Sequence, residues 1–180
     1  MPGRLSGLQK AEAPVLILFA VWLLLILLAP LTLAHGSVAD LSGSVGTIDN
    51  ADQISGMNPF AAAIYWLGDA NCHQLASRSY YLNGNEMPFC ARDLGIFIGM
   101  ALGMALAFVT KVRPPFLLLI LGLVPMALDG GLQLLTDYES TNPVRLLTGM
   151  LAGVSVAFLI HLIAMNMRDI RREKRPDRSA

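Results

Sequence analysis

Cysteine occurs twice in this chain of 180 residues, and both copies stand beside groups that bind metals. Cys72 is followed directly by His73, while Cys90 lies eighteen positions after Cys72 and is followed by Asp93 at a Cys-x-x-Asp spacing. Thiolate sulfur, imidazole nitrogen and carboxylate oxygen make a set that zinc accepts in tetrahedral geometry. A disulfide between Cys72 and Cys90 is the competing chemistry. It would staple the intervening loop and limit the entropy of the unfolded chain in an oxidising compartment. By spacing alone the disulfide has a slight edge, and the histidine next to Cys72 weighs against it.

A second constellation has no cysteine. Asp129 and Gln133 are four apart and share a helix face, Arg145 and Thr148 are three apart on another, and Arg92 stands beside Asp93. Between Gln133 and Arg145 the chain supplies Glu139, Ser140, Thr141 and Asn142. Ionisable groups within apolar sequence are costly and tend to pair with one another or to line a functional cavity. Capping and snorkelling explain any one of these residues more readily than they explain the set. Asp129 lies about two turns inside an apolar run, too deep for routine capping. Asp129, Gln133, Asn142, Arg145 and Arg92 are therefore the candidates for catalysis or ligand binding. Arg92 and Arg145 are the expected countercharges of Asp93 and Asp129, and the sequence leaves the pairing open.

These residues must be positioned by a membrane protein. Hydrophobic residues make up 54% of the chain against 14% charged, with mean hydropathy +0.56, which excludes an ordinary soluble domain. The formal net charge of +0 gives no footing for a nucleic-acid partner. Four stretches approach the roughly twenty apolar residues that cross a bilayer: Val15 to Ala34, Leu94 to Thr110, Phe116 to Leu135 and Val144 to Met167. The second is short and must borrow a turn from Cys90 to Asp93. The first is longer than the apolar core of a cleaved signal, so a retained anchor fits better. Nothing comparable to the Asp129–Arg145 cluster occurs toward the other ends of the spans, where His161 is nearly alone.

Basic residues orient the spans. Arg4 and Lys10 precede the first, Lys111 and Arg113 join the second to the third, and Arg168, Arg171, Arg172, Lys174, Arg175 and Arg178 follow the fourth. Only Arg78, Arg92 and Arg145 fall on the other side, so both termini are expected in the cytoplasm and the Cys/His site on the outer face of a multi-pass cell-membrane protein.

The long outer segment divides by composition. Residues 36–57 are rich in Gly, Ser and Asp without Lys or Arg, and read as a solvated, mobile loop. Asn58-Pro59 then reads as an N-cap and first helical position, with Phe60, Ile64 and Leu67 at helical spacing and Tyr65 and Trp66 beside them, which predicts an interfacial helix carrying Cys72 and His73 near its far end. Asn83-Gly84 tolerates the positive φ angles of a type I′ turn and predicts a short hairpin that returns Cys90 toward Cys72. Gly95, Gly99 and Gly103, with Ala107, and Gly149, Gly153 and Ala157 form small-residue faces that predict close packing of the second and fourth spans. The fold class is therefore all-α integral membrane: four transmembrane helices, an outer interfacial helix and a short hairpin. The chain divides into an anchor and loop (1–57), a membrane core with the Cys/His hairpin (58–167) and a basic cytoplasmic tail (168–180).

CHQLASRS at 72–79, PFCARDLGIFIG at 88–99, Asp129 with Gln133, and STNPVRLLTG at 140–149 resemble the predicted integral-membrane proteins grouped as domain of unknown function 2085, over roughly Asn58 to Met167. In that family CAR is often followed by a third Cys where this chain has Asp93. Exchange of Cys for Asp at one corner suits a metal site better than a simple disulfide, because both side chains ligate zinc. The resemblance implies fold and site location and no reaction.

The expectation is an enzyme-like or ligand-binding protein in the lipid bilayer. Cys72, His73, Cys90 and Asp93 hold zinc, beside an outward pocket for an anionic lipid or small-molecule ligand. A structural or assembly protein with a Cys72–Cys90 disulfide is the alternative. A transporter ranks last, since polarity confined to one half of the spans offers no continuous path. The partition of basic residues predicts that labels at Asp40 and Ser179 are found on opposite sides of the membrane; labelling of both from outside would refute that topology.

Overall fold

A computed structural model of the chain describes residues 7–173. Arg4, Lys174, Arg175, Arg178 and Ser179 lie outside the described residues, as does the side chain of Arg172. Four long helices dominate: α1 (Gly7–Leu31), α4 (Ala91–Thr110), α5 (Phe116–Leu135) and α6 (Asn142–Glu173). Between the first two lie a short helix α2 (Ala51–Ser55), α3 (Pro59–Asn71), a 3₁₀ turn at Ala76–Arg78, and the strands β1 (Tyr81–Leu82) and β2 (Asn85–Glu86). Each long helix contains a stretch apolar enough to cross a membrane: Leu8–Leu31, Ala91–Thr110, Phe116–Leu135 and Asn142–Arg171. Their exposed faces carry leucine, isoleucine, valine and phenylalanine, among them Leu18, Leu24, Leu106, Phe116, Leu117 and Leu147. Such faces suit hydrocarbon, and the helices satisfy their own backbone groups there.

The second and third spans lie as expected, with the turn from Ala91 to Asp93 completing the second. The first begins about two turns earlier than the apolar run suggested and brings Glu12 inside the helix, where it is buried. Pro14, expected to precede the apolar core, sits within this helix. The last span extends to Arg171, past the expected end at Met167.

The α4–α6 contact is the most extensive in the molecule. A Cβ built on Gly99 would lie 2.2 Å from the Met150 carbonyl oxygen, and one on Gly153 would lie 2.2 Å from that of Ile96. No side chain larger than hydrogen fits at either place, so the two backbones touch. The small-residue faces do what their spacing predicts.

Asn58 caps α3 through a hydrogen bond from Ala61 N–H to its Oδ1 at 3.0 Å, with Pro59 in the first turn. Trp66 is 51% exposed, as an interfacial ring would be, but Tyr65 is fully buried and its hydroxyl donates to the Glu86 carbonyl at 2.5 Å. Asn83 and Gly84 adopt φ of 56° and 69°, the two left-handed residues that a type I′ turn needs, and β1 pairs with β2 in the register Tyr81↔Glu86, Leu82↔Asn85. Trp22 of α1, Phe89 after the hairpin, and Phe97 of α4 meet edge to face with centroids 5.2 to 6.0 Å apart, which ties the hairpin's exit to two spans.

Residues 36–57, expected to be a mobile solvated loop, instead fold onto the hairpin and α3. Val38 N–H donates to Asn85 Oδ1 at 3.0 Å and Leu41 N–H to Glu86 Oε2 at 3.0 Å, while Asn50 donates through backbone and side chain to the buried carboxylate of Asp69. Val38, Leu41 and Ile54 are buried beneath. Composition missed this because the acceptors lie 19 to 47 residues away along the chain.

The helix contact sets a test with an internal control. Gly99→Ala forces a methyl into the Met150 carbonyl and is expected to destabilise by about 1 to 3 kcal/mol. Gly131→Ala in α5 meets nothing within 4 Å and is expected to be neutral or to stabilise by up to roughly 1 kcal/mol. Unfolding of both variants in mixed micelles checks this; equal effects would remove the claim of backbone contact.

Candidate metal and anion site

Cys72 is the C-cap of α3 and Cys90 the N-cap of α4, so the two thiols are set by helix ends rather than by a loop. What joins those ends is Gly68. A Cβ there would lie 1.9 Å from the Pro88 carbonyl oxygen, so α3 presses directly on the segment leading to Cys90. Gln74, fully buried, reinforces the approach by donating to Pro88 O at 2.8 Å. The Cys90 backbone N–H then donates to Cys72 Sγ at 3.3 Å, and Cys90 Sγ lies 3.4 Å from Asp93 Oδ2, one turn into α4.

The two sulfurs and a carboxylate oxygen of Asp93 lie within 4.8 Å of one another, and both cysteines are free. Among the described residues this is the group of histidine, cysteine and acidic side chains arranged to hold a metal ion. His73 is exposed and does not join the trio, although it lines the same cavity. The thiols are unequal. A hydrogen bond from the Cys72 thiol holds Cys90 below the usual thiol range and pushes Cys72 above it, and burial of Cys72 adds to the upward shift.

The cavity they border has a volume of about 210 Å³. Its lining is also cationic: Arg78 from the 3₁₀ turn, Arg92 from α4 and Arg145 from α6, with Gln133 from α5. Arg92 Nη2 donates to Asp129 Oδ2 at 2.6 Å and to Gln133 Oε1 at 3.3 Å, which joins α4 to α5 and settles the pairing the sequence left open. Tyr138 adds its hydroxyl to Asp129 Oδ1 at 3.3 Å. Arg145 Nη1 donates to Asn142 Oδ1 at 3.1 Å, and Asn142 in turn donates to Ser79 O at 3.1 Å. Glu139, 65% exposed, lies 3.8 Å from Arg145 and 3.9 Å from Arg78, too far for hydrogen bonds. Asp93 pairs with Cys90 rather than with an arginine.

The five candidates thus divide by position. Arg92, Gln133 and Arg145 reach the cavity, while Asp129 and Asn142 stand behind and hold them. Arg78 completes the wall, and its place in CHQLASRS, six residues after Cys72, was the available signal. Arg145 has a side chain only 3% exposed, yet its Nε and Nη2 have no hydrogen-bond partner in the protein. Nor do Arg78 Nε, Arg92 Nε and Gln133 Nε2. Every such buried side-chain atom around this cavity, among the described residues, is a nitrogen donor. A buried donor left unpaired costs about 1 to 3 kcal/mol, more when charged, so the wall is complementary to an acceptor-rich, negatively charged group.

His161 and Glu12 correct the expectation that the opposite ends of the spans carry nothing comparable. Both are completely or almost completely buried, and His161 Nδ1 contacts Glu12 Oε1.

An all-α membrane protein of four candidate spans, with a polar cavity at the hairpin end of the bundle, is the class these features define. Residues 72–159 match the family described as predicted membrane protein, domain of unknown function 2085. An uncharacterised protein of Methanothermobacter thermautotrophicus is 33% identical over 95 residues, 51% of this chain and 86% of that relative. An uncharacterised protein of Methanocaldococcus jannaschii is 41% identical over 101 residues, 53% of this chain. The match spans 65% of the Methanocaldococcus relative's length. The chain belongs to the domain of unknown function 2085 family of predicted membrane proteins. No solved structure matches it.

The unequal thiols give a prediction. In chelator-treated protein, iodoacetamide is expected to modify Cys90 before Cys72, because Cys90 is half-buried with its thiolate favoured and Cys72 is 3% exposed with its thiolate disfavoured. Peptide mapping over a time course would read the order, and modification of Cys72 first would contradict the assignment.

Proposed function

We propose that this protein binds an anionic lipid headgroup in an outward-facing cavity, beside a zinc ion held by Cys72, Cys90 and Asp93. The observation that carries the reading is the shared cavity: three ligand atoms within 4.8 Å of one another border the same space as the buried, under-satisfied guanidinium of Arg145. Two thiolates and a carboxylate suit zinc, and three protein ligands leave a fourth position for an exogenous group. Arg92, Arg145 and Gln133 would then supply donors to the headgroup's oxyanion. Arginine's planar fork favours phosphate in that role. Zinc held by these three residues would supply Lewis-acid character beside the bound headgroup. His73, adjacent to Cys72 on the cavity wall, is the side chain that would close the fourth corner if the metal were purely structural.

Purified protein should contain one zinc per chain, lost in Cys72→Ser and Cys90→Ser and retained in Asp93→Cys, where thiolate replaces carboxylate. Arg145→Gln should keep zinc and weaken binding to vesicles doped with a phosphate-headgroup lipid about 10- to 100-fold, the loss expected for charge-assisted hydrogen bonds. Binding to vesicles of zwitterionic lipid alone should be unaffected, and inorganic phosphate should compete with the doped vesicles. A melting control is required, because removing one partner from a buried charge network typically costs about 3 to 5 kcal/mol. Metal-free protein with no titratable thiol before reduction would replace this reading with a disulfide-bonded assembly protein.

A further inference from the structure

Ion pairs around the cavity fix how much negative charge a ligand can bring. Arg92 is matched by Asp129, whose Oδ2 it reaches at 2.6 Å. Among the described residues no carboxylate lies within hydrogen-bond distance of Arg78 or Arg145. The cysteine corner carries the other sign. Zinc with two thiolates and the Asp93 carboxylate has one net negative charge, and without zinc the Asp93 carboxylate alone leaves the same single charge. Three guanidiniums set against Asp129 and that corner leave the cavity one positive charge in excess. Glu139, solvent-exposed and 3.8 Å from Arg145, can only lower that excess.

Hydrogen bonding narrows the ligand further. A guanidinium only donates, so the Gln133 amide must present Oε1 to Arg92 and keep Nε2 as its free end. Asn142 Oδ1 is likewise taken by Arg145. The unpaired buried atoms left around the cavity are all donors, so a ligand oxygen that carries hydrogen finds no unpaired buried acceptor among the described residues there. A volume of about 210 Å³ is below the roughly 300 to 1,000 Å³ of sites that enclose a drug-sized ligand, so the cavity takes a charged group and leaves its substituents outside.

We infer that the cavity takes a phosphodiester without a cationic substituent in preference to a terminal phosphomonoester; this rests on the anionic-headgroup reading and narrows its chemistry. Such a diester brings one negative charge on two oxygens that only accept, which matches both the excess charge and the donors. A terminal phosphomonoester carries about −1.5 to −2 charges at pH 7, and its less ionised form keeps an O–H. The choline cation of a zwitterionic diester would restore the excess that its phosphate removes. Ordinary attraction to a basic surface grows with ligand charge and so favours the monoester. A preference for the diester is therefore diagnostic of this site.

The test is titration of full-length protein, as purified in uncharged micelles at neutral pH, with short-chain phosphatidylmethanol and short-chain phosphatidic acid. Phosphatidylmethanol is expected to bind about tenfold tighter or more, the effect of one unmatched charge in a partly buried site. Dimethyl phosphate should likewise bind more tightly than inorganic phosphate. Arg78→Gln alters a side chain that is 33% exposed and should weaken phosphatidylmethanol binding about tenfold. Unchanged affinity in that variant would place the binding elsewhere and overturn the inference. Equal binding of the two lipids, or tighter binding of phosphatidic acid, would also overturn it and leave the headgroup reading standing. Phosphatidylmethanol binding tighter than dimethyl phosphate upholds the diester as a lipid, whereas equal affinity upholds it as a soluble ligand and removes the lipid from the reading above. If none of these probes binds, both readings fall.

Discussion

Contact between the backbones of α4 and α6 is the constraint on which the other positions depend. In lipid no hydrophobic force drives two apolar helices together, so their association rests on close van der Waals approach and weak Cα–H···O contacts. Gly99 facing the Met150 carbonyl and Gly153 facing that of Ile96 permit that approach from both sides. The register is set by which glycine meets which carbonyl, and it cannot drift by one residue without driving a side chain into backbone. That register places Arg92 and Asp93, in the first turn of α4, level with Arg145, in the first turns of α6. The arginine wall of the cavity follows from it.

Electrostatics then uses the geometry unevenly. Arg92 is well satisfied through one amino group, which binds Asp129 and Gln133 and so draws in α5, the span with the fewest buried positions. Arg145 is more deeply buried and less well paired, with one side-chain bond to Asn142 and a distant, solvent-exposed Glu139. A fold selected for stability alone would not leave the more buried of two guanidiniums with the poorer partners. The imbalance makes sense if Arg145 completes its hydrogen bonding with something that enters the cavity, and the position of the Cys72, Cys90 and Asp93 trio across the same space gives that ligand a second point of attachment.

Much of this was legible along the chain because its signals are local. The Asn58-Pro59 helix start, the Asn83-Gly84 turn, the every-fourth-residue glycines and the shared helix face of Asp129 and Gln133 each need only a few neighbouring residues to be read. What escaped depends on partners distant in sequence. Gly68 resembles any helix glycine until Pro88 is found against it. The 36–57 segment has no apolar period, and its order comes from Asn85, Glu86 and Asp69 accepting its backbone hydrogens. Glu12 lies outside the apolar run that starts at Val15, and no pattern near it marks it as buried. Its partner is 149 residues away.

The buried pair at one end and the candidate metal and anion site at the other share α6, where positions 145 and 161 are roughly 24 Å apart at 1.5 Å per residue. Sharing a helix does not by itself couple them. Coupling requires an element with two arrangements that both sites bias, and α6 is poorly suited to that role because its glycine contacts with α4 allow one register. α1 is held differently. It meets α4 through the Trp22 ring, meets α6 over a small area, and closes on that helix through the contact of Glu12 with His161. Loss of that contact should therefore loosen α1 and leave α4 and α6 in place. The cavity is lined from α4, α5, α6, the end of α3 and the loops beside it, with no residue of α1, so its geometry rests on the helices whose register the glycines fix.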